Sequence, residues 1–228
     1  KISNYRKPLI LQGARQVGKT YSILEFGKHN YEDVAYFNFE NDPTLLKTFD
    51  VDISPDYLIP LLSVYSKRTI MKEKTLIVFD EIQLCERALT SLKYFCEQAP
   101  QYHLIAAGSL LGVAVSRQKY SFPVGKVDIK DLYPMDFEEF MLALGENELI
   151  ESIKSSFNSN TPLPEILHQT ALTRYREYLV IGGMPECVMQ YAQTQNYPLI
   201  RQSQNNILRS YLQDMSKYNV SNEVKKTR

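Results

Sequence analysis

The densest concentration of chemistry in the chain is Gly13-Ala14-Arg15-Gln16-Val17-Gly18-Lys19-Thr20, which satisfies the spacing GxxxxGK[ST] in full. Glycines in such a stretch let the backbone take positive φ and approach anionic oxygens closely. Successive N–H groups, followed by the start of a helix, form a concave site for phosphate. The lysine, Lys19, is expected to bridge the β- and γ-phosphates of a nucleoside triphosphate, and the hydroxyl of Thr20 to take a place on Mg²⁺. The expected nucleotide contacts are therefore Gly13, Ala14, Arg15, Gln16, Val17, Gly18, Lys19 and Thr20, with Tyr21 following on the helix. The competing reading is a glycine-containing turn that matches by coincidence. Context speaks against it, because the apolar run Pro8 to Gln12 precedes the motif and helical spacing follows it.

A second group of chemically capable residues ends another apolar run, Leu76-Ile77-Val78-Phe79-Asp80-Glu81. An acid at a strand end ordinarily just opens a solvated loop. In an open parallel sheet, however, ligands bind outside the carboxyl ends of the strands. Beside a phosphate motif, Asp80 becomes the expected Mg²⁺ acid, and Glu81 the base that polarises an attacking water. An adjacent glutamate favours hydrolysis over transfer to a substrate hydroxyl, which has less need of a base in this place.

Other strand ends carry further candidates. Ser109 follows the run His103 to Ala107 and reads either as a sensor of the γ-phosphate or as the N-cap of a following helix. Asn38 reads either as a hydrogen-bond partner that gates Glu81 or as a satisfied core amide. Arg117 is a candidate arginine finger for a neighbouring subunit, a role worth about 10³ to 10⁵ in rate. Arg68, Arg87, Lys126, Arg174 and Arg176 compete for it, and each alone is more often a surface charge. The 16 tyrosines show no base-stacking pattern.

Strands are expected at Pro8 to Gln12, Val34 to Phe39, Thr75 to Phe79, His103 to Ala107 and Lys126 to Leu132, with helices at Lys19 to Lys28, Asp56 to Lys67, Ala88 to Gln98 and Phe137 to Leu144. That alternation predicts an α/β fold, a mostly parallel sheet flanked by helices, as in P-loop nucleoside triphosphatases. Phe157 to Pro164, with Asn, Ser, Thr and two prolines, is the best linker. Helices are expected beyond it, near Glu165 to Tyr178, Glu186 to Gln195 and Leu199 to Tyr218.

Composition narrows the class. At 44% hydrophobic and 23% charged, the 228 residues can bury a core. Basic and acidic residues balance, which argues against a generally basic nucleic-acid face. Three cysteines without CxxC spacing and three scattered histidines suggest neither a disulfide framework nor a zinc site, and suit a reducing cytoplasm. There is no apolar run of membrane-spanning length and no signal peptide, so no membrane partner is expected. A chain that opens on Lys1 and stops in mid-pattern reads as a piece of a longer protein.

Taken together the motifs resemble the prokaryotic AAA-type (AAA+) ATPases that carry an additional C-terminal domain of unknown function. Beyond the two motifs above, the resemblance rests on Tyr36-Phe37-Asn38-Phe39-Glu40, on Phe79-Asp80-Glu81-Ile82-Gln83, and on Ala107-Gly108-Ser109-Leu110. It also rests on Leu132-Tyr133-Pro134-Met135-Asp136-Phe137-Glu138-Glu139-Phe140 and on Gly182-Gly183-Met184-Pro185-Glu186. It implies a nucleotide-binding core over residues 1–146, a small helical lid over 147–198 and the start of a further domain over 199–228. It implies ATP and Mg²⁺ as cofactors and, by analogy, homo-oligomers. Relatives show Gly-Arg before the fifth strand, whereas here Gly125 precedes Lys126, so the resemblance assigns no arginine finger there. Three functional readings follow: an ATPase that drives a partner, a slow nucleotide-dependent signalling switch, and an ATP-dependent module that meets protein or DNA through its C-terminal part.

Overall fold

Leu76 to Phe79 are apolar without interruption, the pattern of a parallel strand covered on both faces. The computed structural model, which describes residues 6–40, 42–109 and 122–218, places them in an inner strand of a sheet. The chain divides into two compact units, Lys1–Leu132 and Tyr133–Arg228.

The first unit runs β1 (Leu9–Gly13), α1 (Lys19–Asn30), β2 (Asp33–Asn38), α2 (Pro43–Val51), α3 (Pro55–Ser66), β3 (Thr75–Asp80), a 3₁₀ turn (Ile82–Leu84), α4 (Glu86–Gln98), β4 (His103–Ser109) and β5 (Asp128–Leu132). Among the described residues the strands form one parallel sheet in the order β2-β3-β4-β1-β5. Every residue of β3 is buried, and its side chains alternate between two clusters. Leu76 and Val78 pack with Ile23 of α1 on one face. Ile77 and Phe79 pack with Leu45, Phe49, Leu58, Leu62, Leu92 and Phe95 from α2, α3 and α4 on the other. The period of two in the strand thus decides which helix covers which face. Phe79 meets the rings of Phe37, Phe39, Phe49 and Phe95 edge-on, at centroid distances of 5.5 to 6.4 Å. That geometry sets positive ring edges against negative faces.

Helix α2 is absent from the sequence-based expectations, although its start is written plainly. Asp42 accepts hydrogen bonds from Thr44 N (2.8 Å) and Leu45 N (3.0 Å), and Pro43 occupies the first turn. Both are ordinary helix-start signals.

The second unit is helical in its described residues: α5 (Phe137–Ala143), α6 (Asn147–Ser159), α7 (Glu165–Ile181), α8 (Pro185–Thr194) and α9 (Tyr197–Tyr218). Asp136 and Glu139 close a capping box at the start of α5. Met135 N donates to Gly183 O (2.8 Å), and Tyr178 OH donates to Met135 O (3.0 Å). The segments around Pro134 and Gly182-Gly183 therefore meet in space.

The division falls ahead of the expected boundary after residue 146. Phe140 and Met141 of α5 are buried with Ile181, Cys187, Val188, Tyr191, Ile200 and Ile207, so α5 belongs to the helical core. Nor does the chain divide at residue 199. Ile200 and Ile207 of α9 share that core, and Gln204 Nε2 of α9 donates to the carbonyls of Val180 and Ile181 in α7. The expected linker at Phe157 to Pro164 lies within this unit, and its first three residues finish α6. No helix among the described residues is long and apolar enough to cross a membrane.

Phe79 is fully buried at the crossing of four rings. Phe79→Ala should destabilise the protein by about 3–5 kcal/mol. Urea unfolding followed by circular dichroism checks this, and a loss below about 1 kcal/mol would refute the ring's central place.

Candidate nucleotide-binding site

Gly13 ends β1, the strand held between β4 and β5, in register with Ser109 on one side and Leu132 on the other. A Cβ there would lie 2.3 Å from Leu132 O, so only glycine fits. Left-handed backbone follows at Gln16 (φ 63°) and Gly18 (φ 98°), curling the loop as an anion-binding nest requires. Gly18 is the N-cap of α1 and offers no side chain to cap it. The first N–H groups of the helix thus remain available to a ligand.

Lys19 is 7% exposed, and its ammonium donates to Gly13 O (3.2 Å) and Ala14 O (2.8 Å). A buried cation needs such acceptors, and these hold it against the loop. Val17 is buried and packs close to Gly13. Arg15 lies 3.5 Å from the Glu40 carboxylate. The Tyr21 ring is 73% exposed on α1.

Asp80 ends β3 and is 4% exposed. Its Oδ2 accepts from Thr20 Oγ1 (2.9 Å) and from Tyr36 OH (2.6 Å), and its Oδ1 accepts from Glu81 N (3.0 Å). Burial, helped by the hydrogen bond to Asp80, pushes the Tyr36 phenol up to about 12. It therefore stays protonated at neutral pH and can only donate to the carboxylate. Thr20 and Asp80, at the ends of separate motifs, come into direct contact.

Glu81 takes left-handed backbone (φ 52°, ψ 41°), and its Oε2 accepts from Gln83 Nε2 at 2.5 Å. Asn38 does not reach it. The Asn38 amide donates to Tyr36 OH (3.2 Å) and accepts from Glu40 N (2.7 Å), so the gating role gives way to that of a satisfied amide supporting Tyr36. Ser109 ends β4, the strand between β1 and β3, and is half-buried at the same sheet edge. The N-cap alternative for Ser109 and the candidate Arg117 both fall on residues outside those described.

Other basic candidates have structural partners. Arg68 pairs with Asp33, Arg87 donates to Phe49 O, and Lys126 pairs with Glu97 at 2.9 Å. In the helical unit Arg174 bridges Glu146 (2.7 Å) and Glu177 (2.9 Å), while Arg176 is exposed. Two residues that sequence reasoning gave no role do have places in this site: Tyr36 on Asp80 and Gln83 on Glu81. Strand alternation could have flagged Tyr36, which shares a face of β2 with Asn38.

Residues 5–141 match the model of an AAA domain, and residues 172–228 match that of a domain of unknown function (DUF8612). No curated protein matches. Among solved structures, the Walker-type ATPase of Pyrococcus abyssi aligns with a TM-score of 0.55 at 14% identity, over 92% of this chain and 71% of that one. PCH-2 of C. elegans aligns with a TM-score of 0.47 at 11% identity, over 92% of this chain and 62% of that one, less than two thirds of its length. Identities this low show likeness of fold alone. The AAA match, by contrast, extends over more than half of the chain. The chain belongs to the AAA domain family, with a domain of unknown function over its C-terminal residues.

Proposed function

We propose that the chain binds ATP with Mg²⁺ at the carboxyl edge of its sheet and hydrolyses it. The observation that carries this reading is the 2.9 Å hydrogen bond from Thr20 Oγ1 to Asp80 Oδ2, which joins residues 60 apart in sequence. A hydroxyl and a buried carboxylate side by side are hard oxygen donors of the kind Mg²⁺ accepts, and Mg²⁺ typically takes one or two carboxylates together with substrate phosphates. Bound there with the nucleotide, Mg²⁺ would supply neutralisation of the β- and γ-phosphate charge.

The chain's own residues perform the rest. The backbone of Gly13 to Thr20 wraps the phosphates with N–H donors, and the helix start adds its own. Lys19 exchanges its loop carbonyls for phosphate oxygens, a shift its flexible stem allows. Asp80 and Thr20 hold the metal side, with Tyr36 steadying Asp80 from β2. Glu81 accepts the proton of the attacking water, and Ser109, at the end of the intervening strand, faces the γ-phosphate.

Lys19→Ala should abolish ATP binding and turnover together. Glu81→Gln should leave ATP binding intact and lower turnover by about 10² to 10⁴. Phosphate release and equilibrium binding on the same preparations check both, and undiminished turnover in Glu81→Gln would refute its role as base. In wild type, ATP affinity should rise on adding Mg²⁺. In Thr20→Val that gain should shrink by about tenfold or more, as read by ATP titration with and without the metal. An unchanged gain would remove Thr20 from the metal site.

A further inference from the structure

A glutamate carries its carboxylate on a flexible stem, and a base is effective only when it is aimed. The structure shows what holds Glu81. Its left-handed backbone leads straight into the 3₁₀ turn Ile82–Leu84, which brings Gln83 back over it. Gln83 Nε2 then donates to Glu81 Oε2. The other end of the same amide, Oε1, is buried and has no hydrogen-bond partner among the described residues. Turning the amide over would relieve nothing, because it would set a carbonyl oxygen against a carboxylate. A glutamine serving the fold alone would be expected to satisfy both ends. Here one end goes unsatisfied while the other grips Glu81, whose non-glycine backbone is itself strained. Asn38, another amide near this edge, is already engaged with Tyr36 and Glu40.

On the reading that Glu81 is the hydrolytic base, we propose that Gln83 is its positioning residue, fixing the direction of the carboxylate through the amide N–H. Gln83 touches neither nucleotide nor water in this account; it acts through Glu81. Replacing it should therefore change kcat and leave nucleotide affinity alone.

The test is a double-mutant cycle in the full chain, using Gln83→Met, which keeps length and removes the donor, together with Glu81→Gln. Single-turnover phosphate release gives the rate, and titration with a non-hydrolysable ATP analogue gives affinity. Gln83→Met should lower the rate about 10- to 100-fold with unchanged affinity. In the Glu81→Gln background the same change should cost little further. Gln83→Leu, close in size and without the donor, should be as slow as Gln83→Met, and it serves where the methionine variant folds poorly. An unchanged or faster rate in a folded Gln83 variant, beside a Glu81→Gln variant that is slow, overturns the proposal while leaving Glu81 as base. Equal losses from Gln83→Met in both backgrounds overturn it too, since Gln83 would then act without Glu81. A fully active Glu81→Gln overturns the reading on which both rest.

Discussion

A carboxylate taken out of water must find donors, and the Asp80 carboxylate finds three. An unpaired buried carboxylate would cost several kcal/mol or would simply take up a proton. Thr20 comes from the phosphate loop and helix α1, Tyr36 from β2, and Glu81 N from the turn after β3. Satisfying one acid thus draws three parts of the chain to a single edge of the sheet. The site's other distances depend on that junction: the loop lies where its threonine reaches the acid, and Glu81 leaves the strand where its own N–H closes on Asp80.

The strand order makes the junction possible. With β4 between β1 and β3, the loop after β1 and the acid that ends β3 are separated by one strand, whose last residue is Ser109. The four aromatic rings around Phe79 hold β3 from one face, and α1 covers it from the other. Packing on both faces therefore fixes the height of Asp80 at the sheet edge. Within this edge the backbone turns left-handed at Gln16 and Gly18 in the loop and at Glu81 beside the acid.

Much of this was legible in the residues alone. The inner strands β1, β3 and β4 announced themselves as largely apolar runs, because a parallel strand covered on both faces is mostly apolar, whereas the edge strand β5 reads Asp-Ile-Lys-Asp-Leu. The GxxxxGK[ST] loop and Asp80 could be singled out as candidates because the chemistry proposed for them demands fixed residue types at fixed spacing. Tyr36 and Gln83 were not singled out for the site, since tyrosine and glutamine have many uses and their partners here are settled by strand pairing and by a 3₁₀ turn. The place of α5 was hidden for a similar reason. Phe140 and Met141 are apolar in either unit, and only tertiary packing shows that they bury with α7 and α8. Helix α2 was missed although Asp42 and Pro43 mark it, because its short apolar stretch reads equally well as loop.

The central claim is that the loop and the acid form one site for nucleotide and metal. Mn²⁺, a paramagnetic substitute for Mg²⁺, tests it directly when titrated by electron paramagnetic resonance with and without ATP, on wild type and on Asp80→Asn. The account predicts Mn²⁺ binding that requires ATP and that is lost or strongly weakened in Asp80→Asn. Mn²⁺ binding that ignores ATP, or that is untouched by Asp80→Asn, would contradict it.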